Sequence, residues 1–266
     1  GNAFASRNDL NMSNAFFKYG FRLEKNLVKD LYCAPIVLAI GTKNQTQYLP
    51  MPWPYYPLVQ PSNHFIGNGI SNLWFKFPST IDTLKGITKK TVLVETSDFS
   101  QKVKIPINID LKEASEKLIP SSFTQSSQNL GILLSGTILS AFENRIKPFK
   151  IDNHADKGES EMIVYSDGTL AENQIDNGKP LELGYDKWTN NFYDNKIFLK
   201  NSIHYLMKDE ALLKIRNKSI HLPIFDLESV IQKSNQWRIT LLILPLVLLA
   251  GIGTIFSTLR KIKYGQ

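Results

Sequence analysis

The sequence predicts a mixed α/β domain followed by one membrane-spanning helix at its carboxyl end. Three observations carry that expectation. Short apolar runs rich in β-branched residues, such as TVLVET (91–96) and EMIVYSDG (161–168), have strand character. Helical patterns interleave with them, the clearest beginning at Asp194. The stretch Ile239–Leu259 then runs for 21 residues without a charge.

The elements follow in chain order. NDLNMSNAFFK (8–18) predicts a short helix, with Asp9 as N-cap and Gly20 as its stop. Pro35 interrupts FRLEKNLVKDLYCAPIVLAI (21–40) and leaves Ile36–Ile40 as a short buried strand. YLPMPWPYYPLVQP (48–61) holds Pro50, Pro52, Pro54, Pro57 and Pro61, a density expected to exclude regular structure. It is read as a loop packed across the sheet. Its aromatics, Tyr48, Trp53, Tyr55 and Tyr56, also suit a docking surface.

LWFKF (73–77) and TVLVET read as strands, and KVKIPINIDL (102–111) as an edge strand demoted by Pro106. LGILLSG (130–136) and ILSAF (138–142) fit two strands or one bent strand. IDNHADKGESE (151–161) reads as a polar loop, and the strand after it closes on Asp-Gly, a turn signal. From Tyr193 to Ile215 a helix is expected, with Asp194 as cap. Its inward stripe is Phe198, Leu199, Ser202, Ile203, Leu206 and Met207.

The terminal run spans about 31 Å as a helix, close to the thickness of a hydrocarbon core. Trp237 and Arg238 border it on one side; Arg260, Lys261, Lys263 and Tyr264 follow on the other. Such residues favour the headgroup region. A buried core helix fits poorly, because the run is apolar on all sides. The expected organisation is a body over 1–232, a transmembrane helix over 237–260 and a basic tail over 261–266. The positive-inside rule favours a cytoplasmic tail and an extracytoplasmic body. A cytoplasmic adaptor anchored by its tail is the alternative. The amino terminus carries no apolar leader, so an exported body implies that the chain is part of a longer protein.

Composition narrows the function. A hydrophobic fraction of 42% and a charged fraction of 21% permit a folded core. The net charge of +7 is spread over scattered lysines with no block of five, so it reads as a solvated surface and not a nucleic-acid tract. GNG (67–69) lacks the residues of a phosphate loop, so ATP hydrolysis by that route is excluded. His64, His154, His204 and His221 have no zinc spacing. His154, Asp156, Glu159 and Glu161 do not follow a calcium loop. Cys33, the single cysteine, has no flanking glycine and Pro35 two residues on; it reads as a buried thiol. Ser135 and Ser166 lack a nucleophile elbow. No catalytic, metal or cofactor site is expected.

Three segments carry a resemblance: YGFRLEKNLVKDLYCAPI (19–36), the strand ending in SDG, and DKWTNNFYDNKIFLKNSIHYLMKDEALLKIRNKSI (186–220) ahead of a spanning helix. Together they resemble the C-terminal half of gliding-motility ABC-transporter accessory proteins of the GldG type, related to GIFT-like domains. The resemblance implies a glutamine-amidotransferase-like, flavodoxin-like sheet. It further implies a bacterial inner-membrane location with the body in the periplasm. A non-enzymatic accessory or substrate-binding role is implied, beside a permease subunit and a cytoplasmic ATPase subunit. If Asp167 follows that pattern, it lies at the ligand-binding edge of the sheet; otherwise it caps a turn. A hydrolase or amidotransferase relative using Cys33 is the enzymatic alternative.

Overall fold

A computed structural model describes residues 2–6, 10–41, 45–146, 149, 152, 154–209 and 234–264. The chain divides into two compact units, residues 1–218 and residues 219–266.

The first unit is built mainly of strands. In chain order these are β1 (Asn2–Ala5), β2 (Phe21–Leu23), β3 (Asn26–Asp30), β4 (Cys33–Ile40), β5 (Gln47–Val59), β6 (Leu73–Trp74), β7 (Ile81–Thr83) and β8 (Lys89–Glu95). There follow β9 (Ser100–Lys104), β10 (Ile107–Asp110), β11 (Asn129–Leu139) and β12 (Lys157–Tyr165). Four two-residue strands complete the series: β13 (Ile175–Asp176), β14 (Lys179–Pro180), β15 (Tyr185–Asp186) and β16 (Asn191–Phe192). Helices α1 (Ser13–Tyr19) and α2 (Asn195–Leu206) accompany them.

The largest sheets are β12-β11-β8 and β4-β5-β6. Every pairing among the described strands is antiparallel. The described strands therefore do not build the expected flavodoxin-like sheet. A parallel sheet needs a crossover of a dozen or more residues between neighbours, usually a helix. Here β11 reaches β12, and β4 reaches β5, as antiparallel partners. The fold is mixed α/β with many small sheets, plus one terminal apolar helix.

β11 organises the core because it is buried on both faces. Leu130 and Leu133 join Val28, Val59, Leu73, Phe75, Leu93, Val94 and Phe198 of α2. Ile132, Leu134 and Ile138 join Phe21 and Ile81, with Phe16 of α1 packed on them. The apolar run Gly131–Leu134 thus reads as a continuous, not an alternating, pattern. Gly131 is required for close approach: a Cβ there would lie 2.8 Å from Cδ1 of Tyr165. Gly136, at φ 92°, lets the strand continue to Leu139, so one bent strand stands where two were possible.

The proline-rich stretch is a strand, contrary to expectation. β5 runs through Pro50, Pro52 and Pro54, which share one parity, and through Pro57, which lies opposite Cys33 beyond a shift in register. The missing N–H groups of the first three therefore fall on the same side, and the intervening residues carry the ladder to β4. Pro35 likewise sits inside β4, opposite Pro52. Trp53 and Tyr55 of this strand are core residues beside Leu27 and Ile109, not a docking surface, whereas Tyr48 is exposed.

Two further expectations change. The polar stretch at 151–161 supplies the start of β12 from Lys157. On α2, Phe198 and Ser202 are buried as expected, but Ile203 and Leu206 are exposed, as is Met207 just past its end. Asn195 and Asn201 take the inner face instead, because their amides bond to neighbouring backbone. Helix α1 stops at Gly20 in the left-handed region, as read. Its expected cap Asp9, and the expected helical residues beyond 209, lie outside the described residues.

The second unit contains α3 (Ser234–Tyr264). Within it, Leu242–Arg260 has a mean hydropathy of 2.2 and is 0% buried. That is long and apolar enough to cross a membrane, about 28 Å at helical rise.

Candidate functional site

A cleft of about 350 Å³ is lined by β4, β5, β6 and the 174–188 segment. Its walls include Tyr56, Trp74, Lys76, Gln174, Asp186 and Trp188. The local sequence explains how two of these groups meet. Trp74 and Lys76 are two residues apart at the end of β6, and the Lys76 ammonium lies 4.0 Å from the centre of the Trp74 ring. Trp74 packs against Tyr56 and Tyr193, with ring centres 6.1 and 5.1 Å away. Its backbone is held by Asn195 at the start of α2. Oδ1 of Asn195 accepts from the Trp74 N–H at 2.9 Å, and Nδ2 donates to its carbonyl at 2.8 Å.

Asp186 organises the opposite wall. Its carboxylate accepts from Nε2 of Gln174 (3.2 Å), the Trp188 N–H (3.3 Å) and Oγ1 of Thr189 (2.5 Å). These bonds fix the turn that presents Trp188, which is 68% exposed.

Asp167 lies just behind this cleft, two residues past β12, and is buried. Its carboxylate accepts from the Lys76 N–H (2.6 Å), the Thr169 N–H (2.8 Å) and Oγ1 of Thr169 (2.8 Å). It caps the turn Gly168–Ala171. Burial raises its pKa, opposed by these hydrogen bonds and by the Lys76 charge. Burial also lowers the pKa of Lys76, opposed by the carboxylates of Glu172, Asp167 and Asp186. Among the described residues none of the three comes within ion-pair distance of its ammonium. The cleft therefore holds one unpaired cation inside a ring of compensating acids and aromatic faces.

Other sequence candidates are separated in space. Burial pushes the Cys33 thiol up to about 11, so little thiolate exists at neutral pH. His154 bonds to Asp156 at 3.0 Å, Glu159 accepts from Thr137, and Glu161 pairs with Lys208. Among the described residues no group of three His, Cys, Asp or Glu is placed to hold a metal ion. His64 accepts from the Ile66 N–H at 3.3 Å, and burial lowers its pKa. His221 lies outside the described residues. A larger groove of about 1120 Å³ runs past Arg22, but that guanidinium is already bonded to Glu24 and Asp82, each at 2.8 Å.

Residues 1–202 match the model of a family described as an ABC-type uncharacterized transport system. The chain belongs to this family. It is an auxiliary component of an ABC-type transport system. Comparison with curated proteins and with solved structures gave no match.

In this auxiliary protein the flanking residues Trp237, Arg238, Arg260, Lys261 and Lys263 all fall within α3, with Arg260 and Lys263 exposed. Two threonine hydroxyls of the helix bond back to its own backbone. Oγ1 of Thr254 donates to the Gly251 carbonyl at 2.9 Å, and Oγ1 of Thr258 donates to the Ile255 and Thr254 carbonyls at 2.8 and 3.0 Å. Polar groups inside hydrocarbon must be satisfied in this way.

Sequence reasoning passed over the cleft. The signal available was Trp-x-Lys at 74–76, which places an indole and an ammonium on one side of a strand, and the exposed Trp188 in DKW. Nothing in the linear pattern joins them, since about a hundred residues separate the two walls.

Proposed function

We propose that the protein is a membrane-anchored, non-enzymatic accessory subunit of an ABC-type transporter of the gliding-motility, GldG type. Family membership supports the transport role. The one observation that carries the anchored reading is α3, whose candidate span Leu242–Arg260 lies in a charge-free run, Ile239–Leu259, between basic and aromatic ends. The high thiol pKa of Cys33 supports a non-catalytic body.

On this reading α3 lies in the bacterial inner membrane beside a permease subunit, with its basic tail in the cytoplasm near an ATPase subunit. The body stands in the periplasm. ATP-driven motion of the partners reaches the body through the anchor, because the chain carries no phosphate loop of its own. Asp167 acts behind the ligand cleft, holding the Lys76 backbone in place.

Gentle isolation in lipid nanodiscs from native membranes tests the proposal. Co-isolation of a permease and a nucleotide-binding subunit is the expected result. Recovery of the chain alone, or from the soluble fraction, overturns it.

A further inference from the structure

We propose that the cleft formed by Tyr56, Trp74, Lys76 and Trp188 binds the ring of a neutral saccharide. The volume, about 350 Å³, sits at the small end of the roughly 300–1,000 Å³ expected of small-molecule clefts. Its lining combines the exposed indole of Trp188 with the packed rings of Trp74 and Tyr56, the Lys76 ammonium lying over Trp74, and with hydrogen-bonding groups beside them. That combination suits a ring whose faces carry C–H groups and whose rim carries hydroxyls. The C–H face stacks on an aromatic platform, and the rim exchanges hydrogen bonds with polar side chains.

The charge distribution selects a neutral ligand. A cation entering the cleft meets the Lys76 ammonium, already 4.0 Å from the Trp74 ring centre. An anion meets Asp186 in the wall and Asp167 and Glu172 close by, the three carboxylates whose field acts on Lys76. Asp167 and Asp186 are committed to internal donors. Lys76 is not: no hydrogen bond or ion pair of its ammonium is present among the described residues, and it is free to donate to ligand hydroxyls. The indole N–H of the buried Trp74 also has no acceptor among the described residues.

Trp188 gives the second indication. Trp188 is 68% exposed, yet its turn is tied down by Gln174, Asp186 and Thr189. The Lys187 ammonium lies 5.1 Å from the centre of the Trp188 ring, and an exposed indole carried on an ordered turn costs less entropy when a flat ligand stacks on it than one carried on a loop that must first be ordered.

The test uses the full chain in nanodiscs, labelled with 5-fluorotryptophan. Its four tryptophans, Trp53, Trp74, Trp188 and Trp237, give four fluorine signals. Glucose, N-acetylglucosamine and cellobiose are titrated, with sodium acetate, choline and a proline-rich peptide as comparisons. The expected result is a saturable shift of the Trp74 and Trp188 signals with a saccharide, while core Trp53 and Trp237 stay fixed. Trp188→Ala and Lys76→Gln should each weaken the shift at Trp74 by about tenfold, the loss expected of one stacking or hydrogen-bonding partner, with the Trp53 signal reporting an intact fold. The proposal is overturned if no saccharide moves the two signals, if acetate, choline or the peptide moves them instead, or if Trp188→Ala leaves the response unchanged.

Discussion

Asn195 offers a substitution whose effect can be worked out from the coordinates. Its side chain is 2% exposed and pairs with both backbone groups of Trp74. Asn195→Asp keeps the shape and the acceptor but turns the donor into a second acceptor. The hydrogen bond to the Trp74 carbonyl, worth about 1 kcal/mol, is lost together with the long 3.5 Å bond to the Leu170 carbonyl, and a buried carbonyl left facing a carboxylate oxygen adds about 2 kcal/mol more. The sum is about 3 kcal/mol at neutral pH. For a unit of 218 residues this lowers the melting temperature by roughly 6–12 °C.

The pH dependence of that loss has a definite sign. Burial raises the folded-state pKa of the new carboxyl above its unfolded value. The native state then binds a proton that the unfolded state does not, so stability rises as pH falls through the folded pKa. The protonated acid also regains a donor for the Trp74 carbonyl. Thermal unfolding of wild type and variant in nanodiscs, followed by circular dichroism across acid and neutral pH, measures this. A difference below about 1 kcal/mol at neutral pH, within the range of an ordinary surface change, refutes the reasoning. So does a difference that stays constant on acidification.

Further outcomes follow from single residues. The Cys33 thiol, raised to about 11 by burial, should react with iodoacetamide at pH 7 far more slowly in the folded chain than in urea; equal rates would contradict its placement. Gly131→Ala should destabilise by about 1–3 kcal/mol in chemical denaturation, since the new methyl must displace the Tyr165 ring or bend β11 away from β12. Phe198→Ala should remove about 3–5 kcal/mol, because the ring is fully buried in the cluster joining α2 to β8 and β11.

How much of this was legible in the sequence depends on whether local pattern or tertiary contact decides each element. TVLVET forms β8 and Gly20 ends α1 because both signals are local: β-branched density in one, freedom at positive φ in the other. The proline stretch misleads because proline count outweighs proline spacing. Pro50, Pro52 and Pro54, of one parity, leave the donors of the intervening residues to the ladder, Pro57 falls beyond a shift in register, and β5 forms. Helix α2 starts where Asp194 predicts, but the carboxylate of Asp194 accepts from the Ser71 and Asn72 N–H groups at 2.7 and 3.3 Å. It ties the helix to a distant loop, which no local rule reports. Apolar periodicity assigned Ile203 and Met207 inward, whereas the buried face is partly amide, matched to backbone groups far along the chain. The terminal helix was legible for the opposite reason: solvent preference is a property of composition and needs no partner. The cleft was illegible because its members meet only through the packing of β6 against the 174–188 turns.

The central claim is that α3 spans a membrane with the body outside and the basic tail inside. Sided cysteine labelling of intact cells tests it most directly, using Ser160→Cys in exposed β12 and Gln266→Cys at the tail, each in a Cys33→Ala background. The account predicts that an impermeant maleimide labels position 160 once the outer barrier is opened, and position 266 only after the inner membrane is permeabilised. Labelling in the reverse order, or of both positions from one side, contradicts it.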